Sequence, residues 1–287
     1  MRKIYDCFNF FNELDLLEIR LNTLYDIVDY FVIIESNLTH SGEVKPFYYE
    51  DNKSRFEKFS DKIIHYKVLD TPEQFNNLHN GDDEILNQIY HYINKQTNRF
   101  NRNTQPDYGR DFFQKECVRR PLTNCSDDDI IIISDLDEIP NPKILSNVHE
   151  LNLSENIYRL NQNMYCYYLN VFKEKNWFGS RILNYGKLKN LSINEVRGDN
   201  TLSVELPNGG WHFSFMGGKE MVKKKITSYS ARDLGGRHVL NSIESNMDKN
   251  IDPFFRGSLN VVEIDDTYPK YLINNLKRYG HLIKKIW

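Results

Sequence analysis

Four consecutive isoleucines, Ile130 to Ile133, run out of Asp127-Asp128-Asp129 and straight into Ser134-Asp135-Leu136-Asp137-Glu138. A strand turns successive side chains to opposite faces, so a run that is apolar at every position needs cover on both sides. A largely parallel sheet with helices on each face supplies that cover. The run therefore predicts an interior strand whose carboxyl end carries acids. In open sheets of this kind, ligands gather at the carboxyl ends of the strands.

Other segments fit the same frame. IYDCFNFF (4–11), YFVIIESN (30–37) and KIIHYKVL (62–69) read as strands. NELDLLEIRLNTLYDIV places Leu14, Leu17, Leu21 and Leu24 at helical spacing, with Asn12 as its N-cap. An Asn-rich polar stretch from Gln74 to Asp107 has a helical middle, EILNQIYHYI, and Arg110 to Leu122 predicts a helix stopped near Pro121. Beyond Pro142 the pattern turns mixed: IYRLNQNMYCYYLNVF suggests sheet, GGWHFSFMGG a Gly-flanked strand, and the tail from Pro269 an amphipathic helix. The expectation is an α/β fold in one domain, residues 1–287, with halves of about 1–142 and 143–287.

Composition narrows the class of function. A net charge of -3 offers no basic excess for gripping nucleic acid, and 13% aromatic residues suit a packed interior. Cys7, Cys117, Cys125 and Cys166 lack metal or redox spacing and read as reduced core thiols. Near the N-terminus Asp6, Glu13 and Asp15 interrupt any apolar run of membrane-span or signal-peptide length, so a soluble cytoplasmic protein is expected. The sequons at Asn37, Asn124, Asn152 and Asn190 then carry no meaning.

Asp135 and Asp137 stand two residues apart, close enough to converge on one ion, and such hard oxygen ligands suit Mg²⁺ or Mn²⁺. The competing reading is that they cap the following turn with Pro140 and Pro142. His212, flanked by Gly209-Gly210 and Gly217-Gly218, is either a ligand or a structural histidine. Lys223-Lys224-Lys225 reads first as a solvated helix face and second as a diphosphate clamp. Tyr165, Tyr167, Tyr168 and Trp177 offer flat faces to sugar rings, although strand alternation assigns half of them to the core.

Taken in order, ELDLLEIRL, ESNLTHSG, GEVKP, DLDEIP, GGWHFSFMGG and YPKYLINNLKRYGHL resemble glycosyltransferase family 17, the β-1,4-mannosyl-glycoprotein N-acetylglucosaminyltransferases, from about Ile4 to Ile283. The resemblance implies an A-type glycosyltransferase fold, with a Rossmann-like, mostly parallel central sheet and a mixed acceptor-side part. It implies an inverting, metal-dependent transfer of N-acetylglucosamine from a UDP-sugar to a glycan or glycoconjugate hydroxyl. By position, Asp135, Asp137 and His212 become the Mn²⁺ or Mg²⁺ ligands, Asp135 also facing the donor. Glu35 and Asn37 match the strand tip that holds uridine, Asn12 and Glu13 occupy the neighbouring tip, and Lys45 is placed to reach a phosphate. Arg110, counted with the donor-binding residues, and Gln114 match an R-x-x-x-Q-R motif in which Lys115 replaces the second arginine. Glu138 is the candidate base, with bracing of the loop as its other role and Glu195 and Asp199 as alternatives. Ser228-Tyr229-Ser230-Ala231 departs from the S-F-S-H of relatives. Two other readings compete. A nucleotidyltransferase would carry a glycine-rich basic loop after its first strand, which FNFFNELDLL lacks, and an inactive carbohydrate-binding module would keep only the aromatics.

Overall fold

The computed structural model describes residues 2–96, 99–198, 203–230 and 236–285. Four parallel strands, β1 (Ile4–Asn9), β2 (Tyr30–Ser36), β3 (Ile63–Val68) and β4 (Ile130–Asp135), lie in the order β3-β2-β1-β4. The isoleucine run behaves as its pattern demands. Ile130 and Ile132 pack with Phe8, Leu17, Leu21, Leu24 and Phe31, whereas Ile131 and Ile133 join Cys7, Val32, Ile34 and Phe113 on the other face. The first face is closed by α1 (Leu14–Leu24), which crosses from β1 to β2; the second by α3 (Glu84–Lys95) and α4 (Pro106–Glu116). A short helix, α2 (Tyr48–Asp51), and a 3₁₀ stretch (Lys53–Phe59) link β2 to β3.

The remaining sheet is not mostly parallel. After β5 (Glu138–Pro140) and α5 (Pro142–Leu145) come β6 (Ile157–Cys166), β7 (Val171–Trp177) and β8 (Arg181–Asn184). Then follow α6 (Tyr185–Leu188), α7 (Ile193–Gly198), β9 (Ser203–Ser214), α8 (Gly218–Ser228), α9 (Arg237–Lys249), β10 (Asn260–Val261) and α10 (Lys270–Asn274). β8 runs antiparallel to β4, β6 antiparallel to β8 and β7, and β10 antiparallel to β7; only β9 lies parallel to β6. The central sheet is therefore mixed: β6, β7 and β8 follow one another through short turns rather than helical crossovers.

Three local expectations change. Glu13, not Asn12, is the residue at the N-cap of α1, and it makes no side-chain capping bond; the Asn12 carbonyl instead accepts from Leu14 N. α4 stops at Glu116 and continues as a 3₁₀ turn, Cys117–Arg119. The tail is helical only over Lys270–Asn274 plus a 3₁₀ turn at Gly280–Leu282, since Asn274-Asn275 and Gly280 are poor helix formers. Its apolar residues still bury: Tyr268, Leu272, Tyr279 and Leu282 pack on Leu16 and Ile19 of α1 and on Trp211 and Phe213 of β9. α1 is thus enclosed on two sides. All four cysteines are free, Cys125 being only partly buried. Among the described residues no helix is long and apolar enough to cross a membrane.

Candidate functional site

β1 leads outward through β2 to β3, and the chain then crosses back to place β4 on the other side of β1. That reversal opens a crevice at the carboxyl ends of β1 and β4, where Asn9 and Asp135 are register partners. A cavity of about 460 Å³ occupies it. Glu13 enters from the β1 side, Asp135 and Asp137 from the β4 turn, His212 from β9 and Lys225 from α8.

The acidic turn is tied down from beneath. Arg20, fully buried on α1, grips Asp6 of β1 through two bonds, Nε to Oδ2 at 2.8 Å and Nη2 to Oδ1 at 2.6 Å. Its Nη1 donates to the carbonyls of Asp135 (3.0 Å), Leu136 (3.0 Å) and Glu138 (2.9 Å), and Nη2 also meets Ser134 Oγ. Five guanidinium donors in a fixed fork suit such a turn, whose carbonyls face inward and away from any strand partner. Past the turn, β5 pairs with β9 so that Glu138 stands opposite His212. Gly210 permits this approach: its φ is +130°, and a Cβ there would lie 2.1 Å from the Ile139 carbonyl oxygen.

Cations saturate the acids. Asp135 Oδ2 takes Arg197 Nη2 at 2.7 Å, and Arg197 also holds both oxygens of Glu138, at 3.0 and 3.2 Å. Glu138 further accepts from Trp177 Nε1 (2.8 Å) and the Asp135 backbone N–H (2.9 Å). Burial alone would raise the Glu138 carboxyl, but Arg197 and His212 outweigh it and hold it below the usual range. Asp137 Oδ2 receives Lys225 Nζ at 2.7 Å and lies 3.5 Å from His212 Nε2. Burial opposes its charge as well, and Lys225 and His212 again win, keeping Asp137 ionised well below the usual carboxylate range. Lys225 also donates to Glu13 Oε1 at 3.0 Å; against the cost of burial, Asp137 and Glu13 push its ammonium well up. The His212 ring lies 4.4 Å from that of Trp177, and its Nδ1 is buried with no hydrogen-bond partner among the described residues.

The profile of glycosyltransferase family 17 matches residues 1–251. The chain belongs to glycosyltransferase family 17. As curated relatives it matches the beta-1,4-mannosyl-glycoprotein 4-beta-N-acetylglucosaminyltransferases of Rattus norvegicus and Homo sapiens. Each is 33% identical over 141 residues, a segment that covers 48% of this chain and 22% of the relative. Among solved structures, a 4-diphosphocytidyl-2C-methyl-D-erythritol synthase aligns over 73% of this chain and 90% of its own. Its TM-score is 0.35 and its identity 9%, too slight a likeness to bear on the fold or the activity.

In this family-17 protein the predicted site residues fall into two groups. Glu13, Lys45, Asp135, Asp137 and His212 share the cavity wall. Asn12, Glu35, Asn37, Arg110 and Glu138 are not part of that wall, and all but Asn12 support residues that are. Glu35 is fully buried, accepts from the Tyr49 backbone N–H, meets His65 Nε2 at 3.0 Å and stands 3.6 Å from Lys45 Nζ. It is thus the counter-charge of Lys45, whose ammonium burial pushes down. The Asn37 carbonyl accepts from Lys45 N, fixing the same lysine. Arg110 donates to the His40 carbonyl (2.6 Å) and to Asp107, and lies 3.1 Å from where a Cβ of Gly42 would stand; it props the 38–42 loop. Gln114 bonds the Leu38 carbonyl, and Lys115 pairs with Asp111 at 2.8 Å. Glu138, fully buried and held by three donor groups, has the placement of a brace. Asp135 turns to Arg197 instead of converging with Asp137 and His212. Among the described residues no three His, Cys, Asp or Glu side chains meet at ligand spacing. Glu195 is exposed and away from the cavity wall, and Asp199 and Ala231 lie outside the described residues. Tyr165 and Tyr167 are core, whereas Trp177 lines the cavity.

Arg20, Arg197 and Asp252 are not among the sequence-predicted site residues, and Lys225 is predicted first as part of a solvated helix face and second as a diphosphate clamp. Arg20 had a signal, a charge amid the leucines of a buried helix. Lys225 had one too, since it adjoins Ile226, which with Val222 forms the buried face of α8. Nothing local marks Arg197 or Asp252.

Proposed function

We propose that this family-17 enzyme transfers a sugar, N-acetylglucosamine by analogy with the named relatives, from a UDP-sugar to a glycan hydroxyl with inversion, on an A-type fold and with Mn²⁺ or Mg²⁺. One observation carries the reading: Asp137 of the β4 turn faces the His212 imidazole from β9, with Asp135 on the same wall, in a lysine-lined crevice at the sheet's topological switch point. The donor set fits a divalent cation. Asp137 and His212 are 3.5 Å apart and supply oxygen and nitrogen, with Asp135 at the adjoining strand end. A cation of this type completes its coordination with waters and substrate phosphates, which suits a site with few protein ligands close together. When bound, it would act as a Lewis acid toward the departing diphosphate.

The chain's own residues do the rest. Lys45 stands ready to take phosphate charge, its burial balanced by Glu35. Trp177 offers a flat wall and fixes Glu138, which holds the acidic turn in place. The acceptor hydroxyl must give up its proton to a carboxylate on the wall. We assign that role to Asp252, a carboxylate of the wall whose Oδ1 accepts from Phe254 N at 2.8 Å and whose Oδ2 lies 3.0 Å from Lys173 Nζ. Family membership favours transfer of a sugar over transfer of a nucleotidyl group. The test is a thermal-shift panel of UDP-, GDP- and CMP-sugars with and without Mn²⁺. A rise in Tm for UDP-sugars that requires Mn²⁺ supports the reading; equal response to all three nucleotides, or none, contradicts it.

A further inference from the structure

We propose that Lys225 is the resident counter-cation of the acidic turn, yielding Asp137 to the incoming divalent cation and then bonding the donor's diphosphate. The inference rests on the reading above. Its basis is that one oxygen is claimed twice: Asp137 Oδ2 carries the ammonium at 2.7 Å and faces His212 Nε2 at 3.5 Å. A cation held by Asp137 and His212 competes with the lysine for that oxygen, because two positive charges at one oxygen repel each other. Lys225 has somewhere to stay. Glu13 Oε1, 3.0 Å from the same nitrogen, remains as its partner, so the displacement leaves no buried charge unpaired. The ammonium has three donors, of which the two carboxylates occupy two, and its side chain is 25% exposed where that of Asp137 is 7%. It therefore lies on the open side of the acid, toward the space a diphosphate would fill. Its backbone is fixed by Val222 and Ile226, both fully buried, so only the flexible stem need move. Arg197 makes the contrast clear. It also pairs with an acid of the turn, Asp135, but both oxygens of Glu138 grip its guanidinium and hold it in place.

The experiment uses the full chain and measures binding, not turnover. Mn²⁺ affinity is read without nucleotide from the free-ion electron paramagnetic resonance signal, and UDP affinity by calorimetry at saturating Mn²⁺. Lys225→Met keeps the aliphatic stem and removes the charge. It should bind Mn²⁺ roughly tenfold more tightly and UDP roughly tenfold more weakly, the scale of one charge-assisted hydrogen bond. Glu13→Gln removes the second seat, commits the ammonium to Asp137, and should weaken Mn²⁺ binding. Lys225→Arg should recover part of the UDP affinity. Opposite signs for Mn²⁺ and UDP are what a packing role would not produce. Unchanged or weaker Mn²⁺ binding in Lys225→Met, or unchanged UDP binding, overturns the proposal while the wild type still binds both ligands. A wild-type chain that binds neither removes the donor-and-cation reading, and this role with it.

Discussion

Arg20 should be the residue on which the acidic turn depends most. Replacing it with Met strips Asp6 of its partner and leaves three inward carbonyls, those of Asp135, Leu136 and Glu138, without their donor. Breaking a fully buried pair by removing one member costs about 3–5 kcal/mol. The unsatisfied carbonyls add about 1 kcal/mol each before relaxation. Set against a total stability of about 5–15 kcal/mol, Arg20→Met sits at the edge of folding. Arg20→Lys is the better perturbation. It retains the charge, but three donors on one nitrogen cannot span both Asp6 oxygens and the turn, so a loss of about 2–4 kcal/mol follows. Urea unfolding followed by tryptophan fluorescence reads the shift in midpoint, and calorimetry reads UDP binding with Mn²⁺. Both should fall together, and Asp6→Asn placed in the Arg20→Met background should regain about 2 kcal/mol by removing the stranded charge. Were Arg20→Lys within about 0.5 kcal/mol of wild type, the surface-substitution range, with UDP binding intact, the turn would not depend on this guanidinium.

Three further outcomes are expected. Gly210→Ala would place its Cβ 2.1 Å from the Ile139 carbonyl at a φ of +130°, so β5 must shift off β9; a loss of more than about 2 kcal/mol is expected, and an unchanged urea midpoint would contradict the packing. In metal-free buffer, stability should hold above pH 4.5, the ordinary value for the Glu138 carboxyl, and fall as acid protonates Glu138 and Asp137. The sign follows because both groups ionise more readily folded than unfolded, so the unfolded chain binds protons first; a midpoint flat down to pH 3 would refute it. Asp252→Asn should lower kcat by about 10²-fold or more with little change in UDP affinity, and a kcat near wild type would remove Asp252 from proton transfer.

The isoleucine run and the leucine spacing of α1 made the parallel part of the sheet legible, because burial on two faces leaves no polar position and burial on one face leaves a 3.6-residue repeat. The antiparallel strands of the second half were only suggested, since their pairing is set by partners far away in sequence, as when β9 lies beside both β5 and β6. Strand-end acids and the glycine-flanked histidine could be found because their chemistry and spacing are local. Their partners could not. Arg197 meets Asp135 across 62 residues and Lys225 meets Asp137 across 88, and no pattern within either segment records the match. Lys225 was misplaced for a related reason: in a run of three lysines the helix turns each to a different direction, and only packing shows which one faces inward. Lys224 goes to Tyr48 Oη and Lys223 to Glu220, while Lys225 alone reaches the acids.

The central claim is that the β4 turn holds a divalent cation for a UDP-sugar. Calorimetric titration of UDP into wild type and Asp137→Asn, each with Mn²⁺ and with EDTA, tests it most directly. The account predicts binding by the wild type only when Mn²⁺ is present, and at least a tenfold loss in the variant, about 1.4 kcal/mol or more. Equal UDP affinity with Mn²⁺ and with EDTA, or in Asp137→Asn and wild type, would contradict it.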